Sequence, residues 1–269
     1  MSTSEHRYTH GHHESVLRSH KWRTAENSAA YLLPCLVSGQ SLLDVGCGPG
    51  TITLDLAARV APASVIGLDA SADIIEQARA TVADADRGRI DFEVGDVYAL
   101  RFDDDSFDVV HAHQVLQHLT DPVAALREMR RVCTSDGVVA VRDGDYEAMT
   151  WFPASDGIDR WLALYRATAR ADGGEPDAGR RLVSWARAAG FSDITASVSG
   201  WCYGNPEDRA WWTESWAQRV TQSAFAEHAV EHGLATTAEL QELAAAWLEW
   251  GAHDDAWFAI FHGEVLCRR

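Results

Sequence analysis

Leu42-Leu43-Asp44-Val45-Gly46-Cys47-Gly48-Pro49-Gly50 is the stretch that decides the architecture. A short apolar run over residues 41–45 enters a loop with glycine at alternate positions, and residues 51–60 then carry helical spacing. Strand, glycine turn and helix in that order open a parallel α/β unit. Gly46, Gly48 and Gly50 let the turn be tight and let a ligand approach the main chain. Outward from this loop the alternation repeats. Residues 65–69 form a second apolar strand closed by Asp69, and Ser71 N-caps the next helix over 72–83. A third strand over 90–94 stops at Gly95-Asp96, and a fourth spans 107–112. Asp121-Pro122 starts a helix with an N-cap and an N1 proline, ahead of a fifth strand over 137–142. Connections this short imply a parallel sheet with helices on both faces.

Three successive strands end in an acid, and open α/β sheets bind ligands at that edge. Asp44 suits an ammonium group. Asp69 with Ala70 suits the paired hydroxyls of a ribose. Asp96 suits an adenine amino group, with Val97 packing on the ring. A nicotinamide dinucleotide also uses a glycine loop with an acid about 20 residues on. Two details exclude it. Thr51 stands where that fingerprint needs its third glycine, and Asp44 would face a pyrophosphate of like charge.

Over residues 41–145 the chain resembles the class I methyltransferases that use S-adenosylmethionine (SAM), and their quinone-biosynthesis and small-molecule branch in particular. LLDVGCGPG, GLDAS, GDVYALRFDDDSFDVVHAHQVLQHLTDP and GVVAVRDGD carry the likeness. The resemblance implies a Rossmann-like α/β fold, with a seven-stranded sheet in the order 3-2-1-4-5-7-6 and the last strand antiparallel. It implies SAM as cofactor, contacted by Gly46, Asp69, Asp96, Val97 and His113. It also implies an N-terminal segment that folds over SAM. Residues 1–24 are expected to be that lid, with Arg23 pairing the methionine carboxylate as a planar donor fork. A SAM-binding sensor or scaffold that transfers nothing is the alternative reading.

Methyl transfer chiefly needs an aligned acceptor, with a base where the acceptor carries a proton. His111 and His113 share one face of the fourth strand, and His113 at its end is the candidate base. His13 is a second candidate, and Tyr8 and His12 beside it are candidate acceptor contacts. After the core over residues 25–145, segments 146–175 and 205–254 are expected to be helical insertions forming one cap over the methyl group. Residues 176–204 return to the core with a helix and a sixth strand over 194–198, and 255–269 carry the final strand. The cap segments are aromatic, so Trp151, Trp212 and Trp216 are candidate walls of a pocket for a small apolar or aromatic acceptor. Residues 25–36 are expected to form a short helix ended by Pro34.

The net charge of -17 disfavours nucleic acid as a partner, because so acidic a surface repels phosphates. Arg180, Arg181 and Arg187 form a local basic group read as a solvated helix face. Five scattered cysteines without a CxxC pair point to a reduced, cytoplasmic chain and away from a metal ribbon. The opening residues lack an apolar signal core, and no run reaches the roughly 18 apolar residues of a membrane span. No metal is expected.

Overall fold

A computed structural model describes residues 22–269. One seven-stranded sheet runs in the order β3-β2-β1-β4-β5-β7-β6. Its strands are β1 (Leu42–Val45), β2 (Val65–Asp69), β3 (Ile90–Val94), β4 (Phe107–His113), β5 (Cys133–Phe152), β6 (Asp193–Tyr203) and β7 (Trp257–Arg268). Strands β1 to β5 are parallel, and β7 pairs antiparallel with both β5 and β6. This is the Rossmann-like order that the resemblance implied, and its parallel part is the one that the strand–helix alternation implied.

Local chemistry sets the helix starts. The helix α2 (Thr51–Val60) begins at Gly50, whose φ of 85° is left-handed. Ser71 caps α3 (Ala72–Thr81) by accepting from the Ile74 amide, and Asp121 caps α4 (Pro122–Val132) by accepting from the Ala124 amide. One face of the parallel strands packs on α2 and α3 through Leu42, Val65, Phe92 and Val109. The other packs on α4 and α6 (Leu182–Ala188) through Leu43, Val110, Val139 and Leu126. The helix expected over 25–36 is only α1 (Ala25–Ser28), followed by a 3-10 turn at Leu33–Cys35. Asn27 and Ser28 spend their side chains on local capping, and Pro34 has no amide to extend a helix.

The largest departure from the sequence reading lies in β5. Residues 146–152 continue the strand instead of starting a helix, so β5 spans 20 residues. The long β7 holds them extended, with Thr150, Trp151 and Phe152 opposite Ala259, Phe258 and Trp257 beyond an irregularity in register. Strand β6 likewise reaches Tyr203. The extended ends of β5, β7 and β6 form a platform for α5 (Asp156–Ala171), α7 (Pro206–Gln222), α8 (Ala224–Glu231) and α9 (Thr237–Gly251). Because β5 is parallel to β1–β4, this helical layer lies beyond the edge where their acids and His113 stand. Trp161, Trp216 and Trp247 are fully buried at its centre. No helix among the described residues is long and apolar enough to cross a membrane.

Candidate active site

A cavity of about 850 Å³ opens at the C-terminal ends of β1 to β4. Gly46, Cys47, Gly48 and Pro49 form one wall, Asp69, Ala70 and Ser71 a second, and Asp96, Val97 and Tyr98 a third. Arg23, Asp44, His113, Gln114 and His118 are among the other residues that line it. The sequence-derived cofactor set is thus gathered around one space, apart from Gly50. That residue stands behind the loop, where an added Cβ would lie 2.6 Å from the Phe92 ring. Gly46 has a φ of 66°, and a Cβ there would lie 2.3 Å from Val115 Cγ2. Only glycine keeps this wall thin.

The carboxylates are held before any ligand arrives. The two Asp69 oxygens accept from the amides of Gly48 (3.1 Å) and Ser71 (3.0 Å), fixing the acid against the loop. Asp96 is exposed and accepts from the Tyr98 amide at 2.9 Å, while Val97 beside it is buried. Asp44 is almost wholly buried and accepts from Thr53 Oγ1 at 2.5 Å and from His111 Nδ1 at 2.7 Å. His111 therefore orients Asp44 through Nδ1, while its buried Nε2 has no hydrogen-bond partner among the described residues. Each carboxylate oxygen keeps a further lone pair for a ligand. A thin glycine wall, a wedge of aliphatic surface and acids at three strand ends fit a nucleoside carrying an ammonium group, so the residues suit SAM.

His113 stands differently. It is buried, and neither ring nitrogen has a hydrogen-bond partner. Burial first, then the charges of Arg142 and Arg23, push its pKa well below the ordinary imidazole range. His262 on β7 is shifted the same way by the same causes. The Gln114 amide donates to His262 Nε2 at 2.9 Å, and Arg23 donates to Gln114 Oε1 at 2.5 Å. Trp201 on β6 closes this corner, with its ring centroid 5.7 Å from that of His113 and 4.5 Å from that of His262. Trp22 packs edge-on to Trp201 at 5.4 Å and also against Tyr203 and Trp211.

Several expectations are corrected. Trp216 and Trp212 do not line the cavity. They sit in the helical core, where Trp216 meets Trp161 at 4.4 Å and Trp212 stacks on Tyr203 at 4.2 Å. They lie one helical turn apart, so both face inward, and it is Trp211 that turns toward Trp22. Trp151 stacks on Phe258 at 5.6 Å and is also absent from the cavity wall. The basic group is solvent-exposed as expected, with Arg180 also donating to Asp145 in two bonds of 2.7 and 2.8 Å and Arg181 pairing with Glu175. Tyr8, His12 and His13, with most of the expected lid, lie outside the described residues. Sequence reasoning missed Arg142, Trp201, His262 and Glu264. The available signal was a charge or an imidazole inside an apolar strand run, VVAVRD and IFHGEVL.

The family described as "Methyltransferase domain" matches residues 36–187. An uncharacterized methyltransferase of Schizosaccharomyces pombe is 32% identical, over 97% of this chain and 96% of its own. A demethylmenaquinone methyltransferase of Roseiflexus castenholzii is 30% identical, over 66% of this chain and 77% of its own. The crystal structure of the YcgJ protein from Bacillus subtilis superposes with a TM-score of 0.60 at 17% identity, covering 91% of this chain and 99% of that one.

Proposed function

We propose, from the premise that this chain belongs to the SAM-dependent methyltransferases of Rossmann-like fold, that it methylates a small, partly aromatic molecule. When bound, SAM supplies an electrophilic methyl group on a sulfonium. The chain's own task is then to hold the cofactor and to align an acceptor. On this reading Asp69 with Ala70 holds the ribose, and Asp96 and Val97 hold the adenine. Gly46, Gly48 and Gly50 shape the loop that the cofactor lies against. Asp44 faces the ammonium and Arg23 the carboxylate of the methionine part. His113 borders the methyl side. Its depressed pKa keeps the ring neutral at physiological pH, so it offers one donor and one acceptor nitrogen to the methyl acceptor, although the same shift makes it a weak base. Catalytic use of His13, and acceptor contacts from Tyr8 and His12, would come from the N-terminal lid.

The observation that carries the small-molecule reading is the contact of Trp201 with His113. Trp201 stands behind His113, outside the cavity lining, so the methyl side is backed by aromatic surface, and apolar surroundings with a few polar groups suit compact organic ligands. The net charge of -17 argues in the same direction against nucleic acid. The demethylmenaquinone methyltransferase relative supports an unsaturated organic acceptor.

The test is incubation with methyl-labelled SAM and a fractionated metabolite pool. S-adenosylhomocysteine should accumulate together with a labelled low-molecular-weight product. Label confined to protein or nucleic acid would contradict the small-molecule reading. Tight cofactor binding with no turnover on any fraction would favour a non-catalytic sensor.

A further inference from the structure

The face of the sheet that carries His113 continues across β5, β7 and β6 with charged residues. Arg142 is opposite His113 in the β4–β5 register, and Glu264 is opposite Arg142 in the β5–β7 register. Arg142 and Glu264 are 1% and 5% exposed, and Arg142, like Trp201, stands behind His113 and not on the cavity wall itself. Glu264 is fully engaged: Arg142 Nε donates to it at 3.3 Å, Ser197 Oγ at 2.6 Å, and Ser199 Oγ also donates. Arg142 is not. Its Nη1 and Nη2 have no hydrogen-bond partner among the described residues. The guanidinium instead lies 4.9 Å from the Trp201 ring centroid.

Other buried polar atoms without partners gather at the same place. They are both nitrogens of His113, Nε2 of His111, Nδ1 of His262 and the hydroxyl of Tyr31, whose proton is held by burial. Leaving buried donors unmatched is costly, because they lose the hydrogen bonds they made to water. The excess is of N–H and O–H groups, so the missing partner is rich in acceptors. The field agrees. Arg142 and Arg23 lie 4.9 and 5.5 Å from the same indole, and both push the neighbouring imidazoles toward neutrality. An aromatic corner without those charges would suit an ammonium. With them, a cation is repelled.

We propose that the methyl acceptor is a flat organic anion, an aromatic or conjugated carboxylate or phenolate, with its oxyanion held by Arg142 Nη1 and Nη2 and its ring against Trp201. This deepens the preceding reading and rests on it, since the anion is the acceptor only if the site beside His113 is the acceptor site. Arg142 becomes the residue that selects the substrate by charge. The guanidinium fork matches either oxyanion, because both present in-plane lone pairs at one end of a planar body.

The experiment uses the full chain saturated with S-adenosylhomocysteine and titrated by calorimetry. The probes are benzoate, 4-nitrophenolate, neutral benzamide and 4-nitroanisole, and benzyltrimethylammonium. At least one anion should bind at least about tenfold more tightly than its neutral counterpart, as expected for loss of a charge-assisted hydrogen bond. Which anion binds separates carboxylate from phenolate. In Arg142→Lys the preference should shrink about tenfold while affinity for S-adenosylhomocysteine stays within about twofold. Equal or tighter binding of the neutral or cationic probes overturns the proposal, as does failure of both anions at millimolar concentration. The wild-type ranking stands even if the variant does not fold. Failure of S-adenosylhomocysteine itself to bind would strike the methyltransferase reading instead.

Discussion

Around β1 to β3 the carboxylates of the site are engaged within the fold. Asp44 is tied to Thr53 and His111, Asp69 to the amides of Gly48 and Ser71, and Asp96 to the amide of Tyr98. Around β4, β5 and β7, donors are left over: Arg142 Nη1 and Nη2, and the ring of His113. The first region is a scaffold finished before the ligand binds, in which each acid both shapes the loop and offers a spare lone pair. The second becomes complete only with a ligand that brings oxygens. A third kind of environment adjoins it in the helical layer, where Trp161, Trp212, Trp216 and Trp247 meet edge to face or stacked and are at most 4% exposed. Those rings stabilise the platform that brings Trp201 to His113. Tryptophans alone therefore do not mark the binding surface. The informative feature is a tryptophan beside an unmatched charge.

The largest effect should come from breaking the aromatic layer. Trp216→Ala removes a 1%-exposed indole and should lower stability by about 3–5 kcal/mol in urea denaturation. If the variant instead kept wild-type stability while raising the acceptor KM, Trp216 would belong to the pocket as its sequence position suggested.

The next effect falls on the finished region. Gly46→Ala places a Cβ against Val115 on a left-handed residue and adds about 1–2 kcal/mol of backbone strain alone. Affinity for S-adenosylhomocysteine should fall by at least about tenfold with the fold retained. Unchanged affinity would show that the loop wall does not touch the ligand.

The contrast between the two regions also has a pH signature. Burial and the two arginines keep His113 and His262 neutral in the folded chain, whereas unfolded histidine titrates near 6.5. Below about pH 6.5 the unfolded chain binds more protons, so stability falls on acidification by about 1.4 kcal/mol per pH unit for each group. Asp143 acts in the opposite sense. Burial lifts its pKa to about 7, so its contribution is present at low pH and is lost as pH rises toward 7. Two groups against one leave a net loss below about pH 6.5, and His113→Gln should flatten it by about 1.4 kcal/mol per pH unit. Identical slopes for variant and wild type between about pH 5 and about pH 6.5 would remove His113 from this set.

The smallest effect concerns the seam where the N-terminal segment meets both regions. Trp22 fills a corner between Trp201, Tyr203 and Trp211, next to Arg23 on the cavity wall. Trp22→Ala should weaken S-adenosylhomocysteine about threefold, in keeping with aromatic pairs of about 0.5–1.5 kcal/mol. A loss greater than about thirtyfold would make the segment part of the cofactor site proper.

The same contrast explains what could be read from the sequence. Glycine spacing and strand-terminal acids are local signals, because each residue acts within a few positions of its own strand. The cofactor edge and the sheet order implied by the resemblance therefore emerged from residues 41–145. Arg142, Glu264, His262 and Trp201 act across strands far apart in the chain, and their meeting depends on β7 inserting between β5 and β6. The helix expected from residue 146 onward failed for a related reason. A strand whose partner lies more than a hundred residues away takes its hydrogen bonds from β7, and its own pattern cannot announce that. Trp212 and Trp216 were legible as one helical face, but whether that face met a ligand or other tryptophans was set by α5 and α9.

The most direct test of the division between the two regions is calorimetric titration of S-adenosylhomocysteine into wild type, Asp69→Ala and Arg142→Lys in parallel. Wild type should bind one equivalent, Asp69→Ala should bind at least about tenfold more weakly, and Arg142→Lys should match wild type within about twofold. Equal losses in both variants, or no loss in Asp69→Ala, would contradict the separation of a cofactor edge from an acceptor face.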